Sequence, residues 1–327
     1  MKKRLTDVSL RELIDRLSRQ EDRLIVRGLD GTARAFATAS IFRHLECPIT
    51  VIRPNAKDAE GCLRDLSFFL GEEQVLMMPP WETVTTDMFA FQRETELARI
   101  EVLHRLAYGP PAVLVMPVSA LMQKTLHRDV LDGYVETISI GDQKDRDDLA
   151  EKLLEGGYVR EPLVQEKGEF SVRGDIVDIF PPYAPRPFRV EFFGDEIESI
   201  RLFDETSQRS IEEIADFILS PAGELIITPA RRECAVRTIR RRSNELGLPR
   251  TAKEKLADMI AAGLNVSINP LFYSLFYNHS ACRDLGGNGM GTLFDYLPPS
   301  GILVLDDPWI HAPCFKRRSK TTLTDFC

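Results

Sequence analysis

The sequence predicts an α/β protein: a parallel sheet with helices on its faces, and a small antiparallel α+β domain inserted in it or appended to it. Three observations carry this. Through the first 127 residues, short apolar runs alternate with segments of helical period, the pattern of a parallel sheet. Near residue 130 the grammar changes, and from 134 to 203 short alternating strands are joined by Gly-Asp turns, as in antiparallel pairs. Finally, "SGILVLDDP" supplies one more buried strand, ending in acids.

Each element has its own justification. Residues 5–20 form an amphipathic helix with Leu10, Leu13, Ile14 and Leu17 on one face. Leu24-Ile25-Val26 predicts a strand over 24–27, followed by the loop "GLDGTARA" and a helix to about Leu45. After Pro48, Ile49 to Ile52 read as a strand, then a helix over about 56–70 and a third apolar run, Val75 to Met78. "PPWETVTTDMF" is a loop. Residues 91–107 are a helix with Leu97, Ile100, Leu103 and Leu106 in period, and Ala112 to Met116 is the fourth strand.

In the second region "GEFSVRGDIVDIFPP" (168–182) and "FRVEFFGDEIESIRLF" (188–203) each read as a hairpin, the latter with Phe188, Val190 and Phe192 on one face and Gly194-Asp195 as the turn. "SPAGELIITP" predicts a strand, 229–262 a helical region, and "GGNGMG" a loop. The expected boundaries are 1–127, 128–218, 219–312 and a tail, 313–327.

At 327 residues, 43% hydrophobic and 28% charged, the chain has an ordinary globular composition. A net charge of −8 argues against a protein whose main task is coating nucleic acid. The six cysteines, Cys47, Cys62, Cys234, Cys282, Cys314 and Cys327, show no zinc-ligand spacing; a reduced, cytoplasmic setting is the expectation. No apolar run is long enough to span a membrane, and the N-terminus is not a signal peptide.

The loop "GLDGTARA" stands where a phosphate-binding loop would, between an apolar run and a helix. Gly28 fits the first glycine of G-x-x-x-x-G-K-[ST]. Ala33 replaces the second glycine, Arg34 the lysine and Ala35 the hydroxyl. Ala35 cannot hold a metal, Ala33 adds a methyl where backbone must approach phosphate, and the broad guanidinium fork of Arg34 is no substitute for a compact ammonium. The loop is therefore expected to be a packing relic without ATP, Arg34 serving as a structural or solvated arginine. Asp306 and Asp307 end "LVLDDP" as a weak Walker B match.

"GEFSVRGDIVDIFPPYAPRPFRVEFFGDEIESIRLFDETSQRS" resembles the second domain of the UvrB family, and with "PWETVTTD" and "PVSALMQKT" it resembles the UvrB-like N-terminal module of the transcription-repair coupling factors (Mfd), over about residues 20–312. The resemblance implies a degenerate RecA-like, P-loop helicase-type sheet domain 1a (1–127), a UvrA-interaction domain 2 (128–218) and a domain 1b-like segment (219–312). It implies a UvrA-recruiting adaptor of transcription-coupled nucleotide excision repair, with no catalysis in this chain, although the full-length family member is an ATP-dependent DNA translocase. RNA polymerase contact would come only through parts missing from this chain. Gly71 to Asp87 contains no tyrosine, so the aromatic hairpin with which UvrB clamps DNA is expected to be missing and any DNA contact weak. The alternative is an ATP-dependent, helicase-like repair protein with an unusual P-loop.

Carried over residue by residue, the resemblance places UvrA binding at Arg160, Phe170, Ser171, Arg173 and Glu191. Ser171 stands where the family has the first arginine of "FRVRG". The bland reading of Arg173 and Glu191 is a cross-strand ion pair worth roughly 0.2–1 kcal/mol. Bland readings are also held for three other features: "RRECAVRTIRRRS" (231–243) as a solvated helix face, Trp81 as packing, and the five histidines as structural, without metal pairing. The basic stretch "WIHAPCFKRRSKTTLTDFC" shows neither helical period nor family likeness; a truncated or frameshifted end, or a basic tail, accounts for it.

Overall fold

The computed structural model describes residues 9–19, 24–82, 92–245, 257–258, 260–261, 268–277 and 290–306. The chain divides into two compact units, one of residues 1–80, 109–122 and 297–327, the other of 81–108 and 123–296. The tail, the "GGNGMG" loop and Asp307 lie outside the described residues, as does most of "PPWETVTTDMF".

The first unit holds a parallel sheet of β1 (Ile49–Arg53), β2 (Val75–Met77), β3 (Val113–Pro117) and β14 (Ile302–Leu305), in the order β14-β1-β3-β2. Helices α1 (Leu10–Ser18), α2 (Thr32–Leu45) and α3 (Ala56–Leu70) belong to it, with the short α5 (Val118–Leu121). Their boundaries follow from the sequence. Ser9 caps α1, accepting the Glu12 N–H at 3.2 Å, and Asn55 caps α3, accepting the Asp58 N–H at 2.9 Å, which satisfies donors the helix cannot. Helix α2 stops where Glu46 turns left-handed ahead of Cys47-Pro48. The core gathers Ile14, Phe42, Ile49, Val51, Leu66, Val113 and Val115.

Residues 24–27 depart from expectation. They form no strand, and Ile25 and Val26 are about half exposed. An apolar run this short does not by itself separate strand from extended coil, and β14 pairs directly with β1.

The second unit begins with α4 (Arg93–Tyr108), which clusters here although its sequence position lies before residue 127. It continues through β4 (Thr125–Leu126), α6 (Arg128–Tyr134), β5 (Glu136–Ser139) and α7 (Arg146–Glu155). A six-stranded sheet follows: β6 (Val159–Arg160), β7 (Glu169–Arg173), β8 (Ile176–Ile179), β9 (Phe188–Phe193), β10 (Glu196–Phe203) and β11 (Ser210–Glu213), in the order β11-β10-β9-β8-β7-β6. Only the β6–β7 pair is parallel. β12 (Asp216–Leu219) pairs with β5, and β13 (Met290–Gly291) with β4.

Both predicted turns form. Gly174 and Gly194 take positive φ while the aspartates after them do not, the type II′ arrangement that suits strand twist. The predicted strand in "SPAGELIITP" does not form; residues 220–228 are irregular yet largely buried. Helix α8 (Pro229–Glu245) realises the first half of the predicted helical region. Cys47 and Cys62 are free thiols, whereas Cys234 is disulfide-bonded, which departs from a wholly reduced set.

Candidate functional site

In the first unit, the loop at Gly28 leads to Gly31, whose φ of 54° and ψ of −134° only glycine adopts readily, and α2 starts at Thr32. Ala35 points into the core and is 3% exposed, while Ala33 is exposed. Arg34 folds back on its own unit. Its Nε donates to the Leu29 carbonyl at 2.8 Å and its Nη1 to Asp306 Oδ1 at 2.7 Å, with Asp30 3.7 Å away. Arg53, at the end of β1, meets the other Asp306 oxygen. In a working phosphate loop the cation is kept for phosphate and the strand-end acid for a metal. Here an arginine from each of two elements converges on that acid, so the charges such a site would offer a nucleotide are engaged with each other.

In the second unit, strand register sorts the six-stranded sheet into two faces. One carries Phe170, Ile179 and Phe188, then Val177, Val190 and Ile200, then Phe192 and Ile197, all buried. The other carries Ser171, Asp178, Arg189 and Arg201 in one row, and Arg173, Ile176, Glu191 and Ser199 in the next. Phe193, two residues beyond Glu191, projects on this polar side and is 78% exposed.

Asp178 organises the polar face. It is fully buried, and Arg189 grips it at two points, Nε to Oδ1 at 2.7 Å and Nη2 to Oδ2 at 2.9 Å. Arg173 adds a third contact at 2.5 Å with its side chain 44% exposed. The bond to Asp178 holds the Arg189 guanidinium above its usual pKa, against the cost of burial. Arg189 also lies over the Phe203 ring, 4.5 Å from its centroid. Glu191 accepts from Ser199 Oγ at 2.8 Å and from Arg201 Nη1 at 3.0 Å. Arg201 reaches Glu213 at 3.6 Å. The surface is thus a strip of mixed charge, its carboxylates each held by arginines or a serine of the same face.

The structure brings Arg173 and Glu191 to one face but does not pair them. Strand β8 lies between, with Ile176 in register with both, so the cross-strand ion pair of the bland reading is corrected: two strand spacings, about 10 Å, separate their backbones. Arg160 is exposed on the edge strand β6. Phe170 is placed otherwise than expected: fully buried on the core face, it supports the sheet from beneath. Ser171 is 1% exposed, its hydroxyl donating to the Pro162 carbonyl at 3.1 Å. The alternation of "FRVEFF" could have found Arg189 and Phe193, which flank Glu191 on the outward side. Asp178 and Arg201 needed the register.

Trp81 is buried, with the Arg99 guanidinium 5.1 Å over its ring and Tyr273 edge-on at 6.2 Å. In α8, Arg237, Arg240 and Arg241 are exposed, whereas Arg231 lies over Tyr277. His104 is buried and held to a pKa of about 4 by burial, and by the nearby charge of Arg105; His127 caps α6. His279 and His311 lie outside the described residues. Among the described residues, no three His, Cys, Asp or Glu side chains converge as a metal site would require, and no helix is long and apolar enough to cross a membrane.

A sheet with one core face and one ordered, charged face, in a chain that also carries a parallel α/β unit with an arginine-filled phosphate loop, is the make-up of a UvrB-like module. A family profile described as the UvrB interaction domain matches residues 137–225, which contain the whole six-stranded sheet. The chain is also similar to transcription-repair-coupling factors: 33% identical over 310 residues to that of Myxococcus xanthus, covering 91% of this chain and 25% of the relative. The Bacillus subtilis protein is 30% identical over 298 residues, 86% of this chain and 24% of the relative. That of Escherichia coli is 34% identical over 196 residues, 60% of this chain and 17% of the relative. Over most of its length the chain is Mfd-like. It spans about a quarter of the length of the first two of these relatives.

Proposed function

We propose that this chain is a docking module of transcription-coupled nucleotide excision repair, and that the polar face of its six-stranded sheet binds UvrA. One coincidence carries the reading. The segment matched as a UvrB interaction domain contains the face on which Arg173 and Glu191 are held partly exposed by bonds to Asp178, Ser199 and Arg201. Arginines prepositioned in this way lose little rotamer freedom on docking, which favours them as hot spots. The chain does no catalysis of its own and takes no ATP; the Arg34–Asp306–Arg53 cluster supports this half of the reading. RNA polymerase contact and translocation are assigned to parts of the relatives that this chain does not span.

Titration calorimetry of the chain against purified UvrA, without nucleotide, tests the docking. Saturable binding is expected, weakened at least about 30-fold by the Arg173→Ala, Glu191→Arg double variant. Absence of binding, or equal binding by the variant, removes the proposed site. A parallel titration with ATP and Mg²⁺ is expected to give no binding heat. A saturating heat would instead favour the ATP-dependent, helicase-like alternative.

A further inference from the structure

Strand β9 alternates strictly. Phe188, Val190 and Phe192 are buried, while Arg189 and Glu191 face the other side. Phe193 continues the outward series with a large apolar ring, and 78% of it is exposed. Single exposed apolar residues are common and by themselves mean little. The setting of this one is specific. It shares a face with Arg173, Glu191 and Arg201, next to the row that holds Glu191.

Its mounting is also rigid. Phe193 pairs with Glu196 across the two-residue Gly194-Asp195 turn. The Lys144 N–H donates to the Asp195 carbonyl at 2.7 Å, the Gly141 N–H to Ile197 at 2.8 Å, and the Ile197 N–H to Asp142 at 3.0 Å. The tip of the hairpin is therefore laced to the segment before α7. An aromatic ring on a braced hairpin has little freedom left to lose, which is the condition for an efficient anchor.

Its surroundings are acidic. Asp195 and Glu196 are exposed beside it, and Glu191 is partly so. Arg173 carries the opposite charge two strands away. A matching protein surface would offer an apolar pocket with a basic rim for the ring, and a carboxylate for Arg173.

We propose that Phe193 is the apolar anchor of the docking face and inserts into a basic-rimmed pocket on UvrA. This rests on the docking reading above and adds to it a large, exposed apolar contact at the edge of the charged strip.

The full chain carrying Phe193→Ala, titrated into purified UvrA, tests it. The expected result is about a 30-fold loss of affinity with an unchanged melting temperature, because the ring supports no core. Phe193→Leu, which keeps an apolar group, is expected to bind within about fivefold of the wild type. If the wild-type chain fails to bind UvrA, the docking reading falls and this inference with it. If the wild type binds and Phe193→Ala binds within twofold, docking stands and the anchor is overturned.

Discussion

Arg189 and Asp178 face each other on adjacent strands of the six-stranded sheet and meet at two points, 2.7 and 2.9 Å. Asp178 is fully buried and Arg189 nearly so, with 13% of its side chain exposed. Such a pair is weak evidence for stability, but breaking it from one side leaves a charge stranded. Asp178→Asn is therefore expected to cost about 3 kcal/mol, read as a lower urea midpoint with an unchanged slope. The same variant also releases Arg173, so it should lose UvrA affinity even at temperatures where it remains folded. A variant as stable as the wild type would show that the face is not organised by Asp178.

Asp306 does comparable work in the other unit, with less burial. It takes Arg34 at 2.7 Å and Arg53 on its other oxygen, and 13% of its side chain is exposed against 31% for Arg34. Asp306→Asn leaves two cations facing a neutral amide, and an expected cost of about 1–2 kcal/mol lies between the surface and buried cases. Thermal melts in low and high salt check this: the deficit should shrink with salt, since Arg34 is partly solvated.

Much of this fold could be read where period and punctuation agree. Helix α3 occupies the expected 56–70 because Asn55 caps it and Gly71 ends it. The two hairpins form at the expected turns because Gly174 and Gly194 supply the positive φ. What could not be read depended on distance along the chain. Nothing local to Arg34 says that its partner lies 272 residues away. Within "VRGDIVDIF", alternation places Asp178 opposite Val177 and Ile179, but only pairing with β9 lays Arg189 across it and explains a buried carboxylate. Phe170 shows a related limit: a motif gives residue identity, whereas face follows from register, and Phe170 falls in the core row with Ile179 and Phe188. The strand expected at 24–27 does not form because three apolar residues carry too little period to fix one.

Glu96 on α4 is expected to make the stability pH-dependent. It is 4% exposed, and burial raises its pKa from 4.5 to about 7, against the opposing pull of Arg93 at 3.1 Å and a hydrogen bond from Tyr273 at 2.9 Å; the charge of Glu224 adds to the rise. A carboxyl whose pKa is raised on folding binds more proton in the native state, so its contribution is fully present below about pH 4.5 and is lost as pH rises through about 7. Glu96→Gln keeps an oxygen for Tyr273 and removes the titration. Relative to the wild type, the variant should gain about 2–3 kcal/mol between pH 4.5 and pH 8, measured as the difference of urea midpoints at the two pH values. A constant difference would mean that Glu96 does not titrate in that window.

Arg99 and Glu224 form the most deeply buried ion pair of the second unit among the described residues, 0% and 1% exposed, with Nε to Oε1 at 2.5 Å. The pair is not isolated. Glu224 Oε2 also accepts the Leu126 N–H at 3.1 Å, the Tyr277 hydroxyl donates to the Glu224 carbonyl at 3.2 Å, and Arg99 lies over Trp81. Removing one partner strands the other, so Arg99→Met alone and Glu224→Leu alone are each expected to cost about 3–5 kcal/mol. Replacing both removes the uncompensated charge, and the double variant should be more stable than either single one. It should still fall short of the wild type, because the Leu126 N–H loses its acceptor, a term of about 1–3 kcal/mol. A double-variant cycle by urea denaturation measures the coupling. Additive losses would show that the two charges are solvated independently and do not hold the irregular 220–228 segment against β4.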